Sequence, residues 1–186
     1  FTTSDNYKKN IYPKLKSHCS SIVNFEIPKY VLKQLNEIID CNNDVIIVDR
    51  SLFDRLIWVD RLFLKDGIDL KDYDDYKTKY IPLIKDKINI VIATYTDSFT
   101  AISRDYNANL SIEERSFLNI ENVDEYNKSL LNMYELANNE GVNFYLADTT
   151  NKNQRDVSFE VIQYLLNDMR EYYLSSIKEN IEICRK

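Results

Sequence analysis

The stretch V-I-I-V-D-R-S-L-F-D-R-L-I-W, residues 45–58, joins four β-branched residues to an acid and a base, then to an amphipathic run that repeats the pair. A continuous apolar run such as Val45–Val48 predicts a strand covered on both faces, as in a parallel sheet, because a half-exposed strand alternates apolar with polar residues. Ser51 is suited to cap the N-terminus of a helix running from Leu52 to about Leu64. Asp49 and Arg50 then fall where the strand leaves the core and the helix begins.

The pattern extends on both sides. Phe25–Ile39 places Ile27, Tyr30, Val31, Leu35, Ile38 and Ile39 on one helical stripe, with Pro28 near the first turn, where its missing N–H costs nothing. Phe1 to about Ser21 has weak periodicity and reads as loop and short helix. Asp66-Gly67 breaks the helix after Ser51, and the charged, tyrosine-rich segment 66–79 reads as a solvated loop plus a surface helix. Ile88–Ala93 predicts a second buried strand and Thr94–Tyr106 a turn and helix. Asn107–Asn119 lacks a period and reads as a mobile connection. Asn122 and Glu125 form a capping box for a helix with the stripe Val123, Tyr126, Leu130, Met133, Tyr134 and Ala137, stopped by Gly141. Val142–Ala147 predicts a third strand. A final helix, from about Gln154 past Met169, turns Val157, Val161, Leu165, Met169 and Tyr172 or Tyr173 inward. Alternating helices and strands predict an α/β fold, a three-layer sandwich around a parallel sheet. The 186 residues suit one domain.

A net charge of −6 argues against a nucleic-acid or anionic-membrane partner, so any cationic site must be local. Cys19, Cys41 and Cys184 are scattered and odd in number, which points to a reducing cytoplasm. The single histidine, His18, argues against a zinc site or a Ser-His-Asp triad. No stretch has the length of a membrane span, and no signal peptide is evident.

In an open α/β sheet, ligands bind where strand ends and helix N-termini converge. The three expected strand ends are Asp49-Arg50-Ser51, Thr94-Tyr95-Thr96-Asp97 and Asp148-Thr149-Thr150. A carboxylate such as Asp49 can hold magnesium through water, and the planar fork of Arg50 can take a phosphate oxygen; the alternative is a helix N-terminal acid beside a surface base. Arg104 and Arg115 bracket the aperiodic segment. They are either cationic donors on a lid or surface arginines paired with Asp105, Glu113 or Glu114.

These residues resemble the P-loop kinases of nucleosides and nucleotides, the deoxynucleoside kinase and thymidylate kinase group. Residues 45–58 are similar to the strand ending in (D/E)-R-(S/Y/G) and its following helix. Ile102-Ser103-Arg104-Asp105 with Glu113-Glu114-Arg115 resembles the arginine-bearing lid. The pattern is also similar to bacterial kinase-like ATPases with a D-R-G-L-F-D-x-x-x-W motif. The resemblance implies that ATP and Mg2+ are cofactors, with Asp49 near the metal and the phosphates. It further implies that Arg50 contacts the phosphoryl group or the substrate's 5′ end, with Arg104 and Arg115 in a lid-like segment of about 104–119. Phe25 and Glu26 would meet the base or simply open a helix; Asp54 would face the acceptor or water. Trp58 would line the pocket or the core, and Asp148 and Thr149 would lie near the adenine loop.

No G-x-x-x-x-G-K-[ST] occurs in these residues, whereas a P-loop needs such glycines so that backbone N–H groups can wrap a phosphate. The resemblance therefore implies that an N-terminal strand and P-loop precede these residues. The expected activity is ATP-dependent phosphoryl transfer to a nucleoside, a nucleotide or a similar small-molecule hydroxyl. Two alternatives share the site: a non-catalytic nucleotide- or protein-binding module on a degenerate kinase fold, and an ATPase switch. Apolar stripes on the helices before Val45 and after Ser51 would allow a homodimer.

Overall fold

The computed structural model describes residues 20–39, 45–107 and 119–184; within its helices, the side chains of residues 20–26, 105–107, 176 and 178–184 are not described. In chain order its elements are α1 (Ser20–Ile39), α2 (Leu52–Leu64), α3 (Leu70–Lys87), β1 (Val91–Tyr95), α4 (Ser98–Asn107), α5 (Ile120–Asn139), β2 (Phe144–Asp148) and α6 (Gln154–Cys184). The aperiodic 108–118 lies outside the described residues. The fold is helix-rich α/β. Its sheet pairs β1 with β2, and the bonds flanking the ladder fix the direction: Val91 N–H donates to the Asn143 carbonyl at 2.9 Å and Thr149 N–H to the Tyr95 carbonyl at 2.7 Å. Both registers rise together, so the strands are parallel.

Two compact units divide the chain, Phe1–Val91 with Glu121–Asn143, and Ile92–Ile120 with Phe144–Lys186. In the first, α2 packs against both α1 and α3. Ile27, Val31 and Leu35 of α1 are buried, as are Leu52, Phe53, Leu56, Ile57 and Val59 of α2. Each fully buried aliphatic side chain of this kind contributes about 1.5–3 kcal/mol. Much of the stripes on α1 and α2 is thus covered within the unit, while Ile39 and Leu64 are 41% and 44% exposed. Ser51 caps α2 as its spacing predicts, and the helix closes in a Schellman turn, with Gly67 N–H donating to the Leu62 carbonyl at 2.8 Å and Asp66 N–H to that of Phe63 at 3.0 Å. Here Asp66, not Gly67, takes the left-handed φ of 54°. At the end of α5, Gly141 takes φ +75° in the same motif.

Four expectations are corrected. Val45–Val48 is not a strand buried on both faces: among its residues Val45 is 68% and Ile47 80% exposed, and only Asp49 makes a β-bridge. β-Branched residues favour extended backbone, but burial requires strands on both edges and helices on both faces. Segment 66–79 enters α3, which buries Tyr73, Tyr76 and Tyr80 at i, i+3, i+7 spacing. Its charges mark only the outer face. α1 starts before Phe25, so Pro28 sits inside the helix and removes an i→i−4 bond there. Asn122 is likewise internal to α5, which begins at Ile120, and Asn122 and Glu125 both accept from Arg61.

In the second unit α6 packs on β2, and Tyr164 stacks on Tyr145 with centroids 4.3 Å apart. Val157, Val161 and Leu165 are half-buried there, as expected, whereas Met169, Tyr172 and Tyr173 are exposed. The reason is length. A 31-residue helix extends ~46 Å, while the five-residue strand under it covers ~17 Å.

Candidate functional site

Chemistry-bearing side chains of the first unit gather at the start of α2. Asp49 is exposed at its bridge, and Arg50 follows with φ 57°, a left-handed conformation that a residue with a Cβ rarely adopts. Holding a non-glycine residue there costs on the order of 1 kcal/mol. The reversal lets Ser51 return to extended backbone and receive the Phe53 N–H on its hydroxyl at 3.3 Å. An acid, a strained arginine and a capped helix N-terminus, which attracts anions, therefore adjoin.

One turn further on, Asp54 Oδ2 lies 3.3 Å from Arg55 Nη2, and both side chains are largely buried. Neither Asp54 Oδ2 nor Arg55 Nε makes a hydrogen bond. Burial pushes the Asp54 carboxyl above the usual aspartate range; Arg55 and then Arg50 oppose the shift, and Asp49 adds to it. The two Asp-Arg pairs thus act on a single carboxylate. Tyr126 of α5 senses the same group: its hydroxyl is pushed up to about 12, by burial first and by Asp54 second. Trp58, half-exposed, meets Tyr126 edge-on at 6.2 Å. Arg61 lies over the Trp58 ring at 4.8 Å and is held by Glu125 at 2.8 Å, which also accepts from Lys65 at 2.6 Å. Asp49, Arg50, Asp54 and Trp58 are therefore grouped by one helix, and Tyr126 joins them from another.

In the second unit Arg104, near the end of α4, donates to Thr149 Oγ1 at 3.2 Å, to the Thr149 carbonyl at 2.7 Å and to the Lys152 carbonyl at 2.9 Å. Its guanidinium spans the turn after β2, in which Asn151 takes φ 54°. Asp148 accepts the Thr150 N–H at 2.9 Å. Asp97 accepts from Thr100 N–H at 2.9 Å and donates its own N–H to Thr150 Oγ1 at 3.1 Å; its bonds to Thr100 hold its carboxyl below the usual range. Arg104, Asp148 and Thr149, chosen separately from sequence, thus share one turn. Arg115 lies outside the described residues, as do the side chains of Phe25 and Glu26 on α1.

The sequence reading missed Asp60. It is 2% exposed, and accepts from the Tyr73 hydroxyl at 2.6 Å and from Asn132 Nδ2 at 3.3 Å, tying α2 to α3 and α5. Two signals pointed to it: Asp60-Arg61 is a third Asp-Arg pair, and Asp60 stands at the i+4 position from buried Leu56.

Among the described residues no three His, Cys, Asp or Glu side chains converge as a metal cluster. A lone exposed carboxylate such as Asp49 fits magnesium, which binds one or two carboxylates and takes its other ligands from phosphate and water. For a nucleotide the fit is partial. The turn at Asp148 and Thr149 offers backbone and hydroxyl groups already engaged with its own residues, and the glycine cradle for the phosphates does not occur in these 186 residues.

Among the described residues no helix is long and apolar enough to cross a membrane. No protein-family model matches the chain, and no curated protein matches its sequence. Solved structures do match. The deoxyadenosine kinase from M. mycoides with bound dCTP is 23% identical, with a TM-score of 0.56 over 86% of this chain and 81% of that one. The same enzyme with bound dATP is 21% identical, with a TM-score of 0.55 over 86% and 82%. At this identity the likeness lies in the architecture: the chain has the α/β fold of those deoxyadenosine kinases.

Proposed function

We propose that this chain is a kinase-like phosphotransferase that moves the γ-phosphoryl group of ATP to a hydroxyl of a nucleoside, a nucleotide or a similar small molecule. The observation that carries this reading is Arg50, held at φ 57° between exposed Asp49 and the Ser51 cap. Strained backbone persists where the surroundings enforce it, and such positions cluster at ligand clamps. In this reading residues 1–186 act as one kinase-like domain in the cytoplasm, with 104–119 as its lid.

Phosphoryl transfer is catalysed mainly by positioning and by neutralising charge on the migrating group. Arg50 supplies a fork of N–H donors to the phosphate oxygens, and Arg104 and Arg115 add cationic donors from the lid. Asp49 would hold magnesium, which would supply neutralisation of the phosphate charge. Asp54 faces the acceptor with Trp58 as pocket wall. Phe25 and Glu26 meet the base, and Asp148 and Thr149 lie near the adenine. The likeness to deoxyadenosine kinases makes deoxynucleosides the first acceptors to test.

The test is ADP release by the full-length encoded protein, with ATP and magnesium, across a panel of nucleosides and nucleotides. Turnover is expected with at least one acceptor, and Arg50→Gln should lower kcat by about 100-fold, as removal of one transition-state donor does. Turnover indifferent to Arg50 overturns the assignment. ATP binding without ADP release would identify a non-catalytic binding module, and ADP release without acceptor an ATPase switch.

A further inference from the structure

Asp54, Trp58, Arg61 and Lys65 stand four, three and four residues apart, the spacing that sets side chains along one face of α2. Asn122 and Glu125 of α5 meet the far end of that stripe. Glu125 Oε2 accepts from Arg61 Nη2 at 2.8 Å and from Lys65 Nζ at 2.6 Å, and Asn122 Oδ1 accepts from the same Arg61 nitrogen at 3.4 Å. Lys65 and then Arg61 hold the Glu125 carboxyl below the usual glutamate range, so the anchor stays charged at neutral pH. The Arg61 side chain is only 11% exposed, and its Nε makes no hydrogen bond. Its guanidinium is thus tied through Nη2 and lies over the Trp58 ring, 4.8 Å from the centroid. Tyr126 meets the same ring edge-on at 6.2 Å. The indole is held from two sides, yet 37% of Trp58 stays exposed.

We infer that Arg61 is a positioning residue: clamped by Glu125 and Asn122, it fixes the Trp58 indole so that the open part of the ring offers a preset flat surface to the planar ring of an acceptor. The inference rests on the reading of this site as the acceptor pocket. A cation over an indole face is attracted by the ring's quadrupole, more strongly when the cation is shielded from water, as Arg61 is. An indole held in one orientation gives up less freedom when a ligand ring stacks on it, and that saving appears as affinity. Stacking on an aromatic face tolerates every base. Arg61 therefore sets how tightly acceptors bind and leaves the choice among bases to other groups.

Fluorescence of Trp58, the single tryptophan, tests this in the full-length protein. Without ligand, Arg61→Ala should raise the acrylamide quenching constant about twofold, because the group covering one of the two ring faces is gone. Titration of the wild type with each of the four deoxynucleosides should change the emission, and Arg61→Ala should raise every resulting Kd by a similar factor of about 5–10, the low end of what base stacking contributes. Glu125→Gln keeps the side-chain shape but weakens the charge-assisted hold on Arg61. It should move both readouts in the same direction by less, and it serves as the second variant if Arg61→Ala unfolds by far-UV circular dichroism. Lys65→Met takes a cation from the same carboxylate while leaving Arg61 over the ring, and should move neither readout. Unchanged acrylamide quenching in Arg61→Ala overturns the inference, as does a Kd no more affected than in Lys65→Met or a wild-type emission indifferent to all four deoxynucleosides. ADP release, measured in parallel, separates the two readings: emission changes that need Arg61, without ADP release, support the positioning role and defeat phosphoryl transfer, whereas ADP release with binding indifferent to Arg61 does the reverse.

Discussion

Tyr73→Phe removes one oxygen from the buried junction of α2, α3 and α5 and leaves the rest of the packing in place. The ring stacks on Phe63 at 4.3 Å with planes 2° apart, and Lys77 Nζ lies 4.0 Å above it; a phenylalanine preserves both contacts. What is lost is the 2.6 Å bond to Asp60. A hydrogen bond to a charged group is worth about 1.5–3 kcal/mol net, and a buried acceptor left unsatisfied stands at the upper end of that range. Asp60, 2% exposed, keeps only the 3.3 Å bond from Asn132 and cannot turn to water. The expected loss is about 2–3 kcal/mol, or about 4–12 °C in Tm for a chain of this length. Trp58, the single tryptophan, lies on α2 in the same unit, so its fluorescence in urea reports this junction's unfolding. A cycle with Asp60→Asn should show coupling above ~1 kcal/mol. A loss below ~0.5 kcal/mol, or strict additivity, would refute the view that the Tyr73–Asp60 bond holds the three helices together.

Two further perturbations probe the site. Because burial raises the Asp54 pKa, the folded state holds that proton more tightly than the unfolded chain; its stabilising contribution is complete below the unfolded value of about 3.9 and is lost as pH rises through the folded pKa. Asp54→Asn should therefore be more stable than wild type at pH 7 and lose that advantage towards pH 3, as urea titrations at the two pH values would reveal; a variant less stable at pH 7 contradicts the direction. Arg104→Ala removes three bonds from the turn after β2, and amide hydrogen exchange at residues 150–153 should accelerate, with a loss of stability of no more than about 1–2 kcal/mol for so exposed a group. Unchanged exchange would mean that the turn holds itself.

The sequence alone determined the local events. Ser51 caps a helix because its hydroxyl reaches an N–H two residues on, and Gly141 ends one because it tolerates positive φ. These depend on neighbouring residues and survive any packing. The parallel pairing of β1 and β2, the meeting of Arg104 with Thr149, and the link from Tyr73 to Asp60 span 45 or more residues in the first two cases and 13 in the last. No local rule specifies such partners. Hydrophobic pattern likewise showed which residues seek cover but not whether cover exists. Val45–Val48 has the composition of a central strand yet lies largely in solvent, and Met169 and Tyr173 fit an inward stripe on a helix that outruns its strand. Tertiary structure decided those cases, because burial belongs to a pair of surfaces, and a sequence pattern describes one of them.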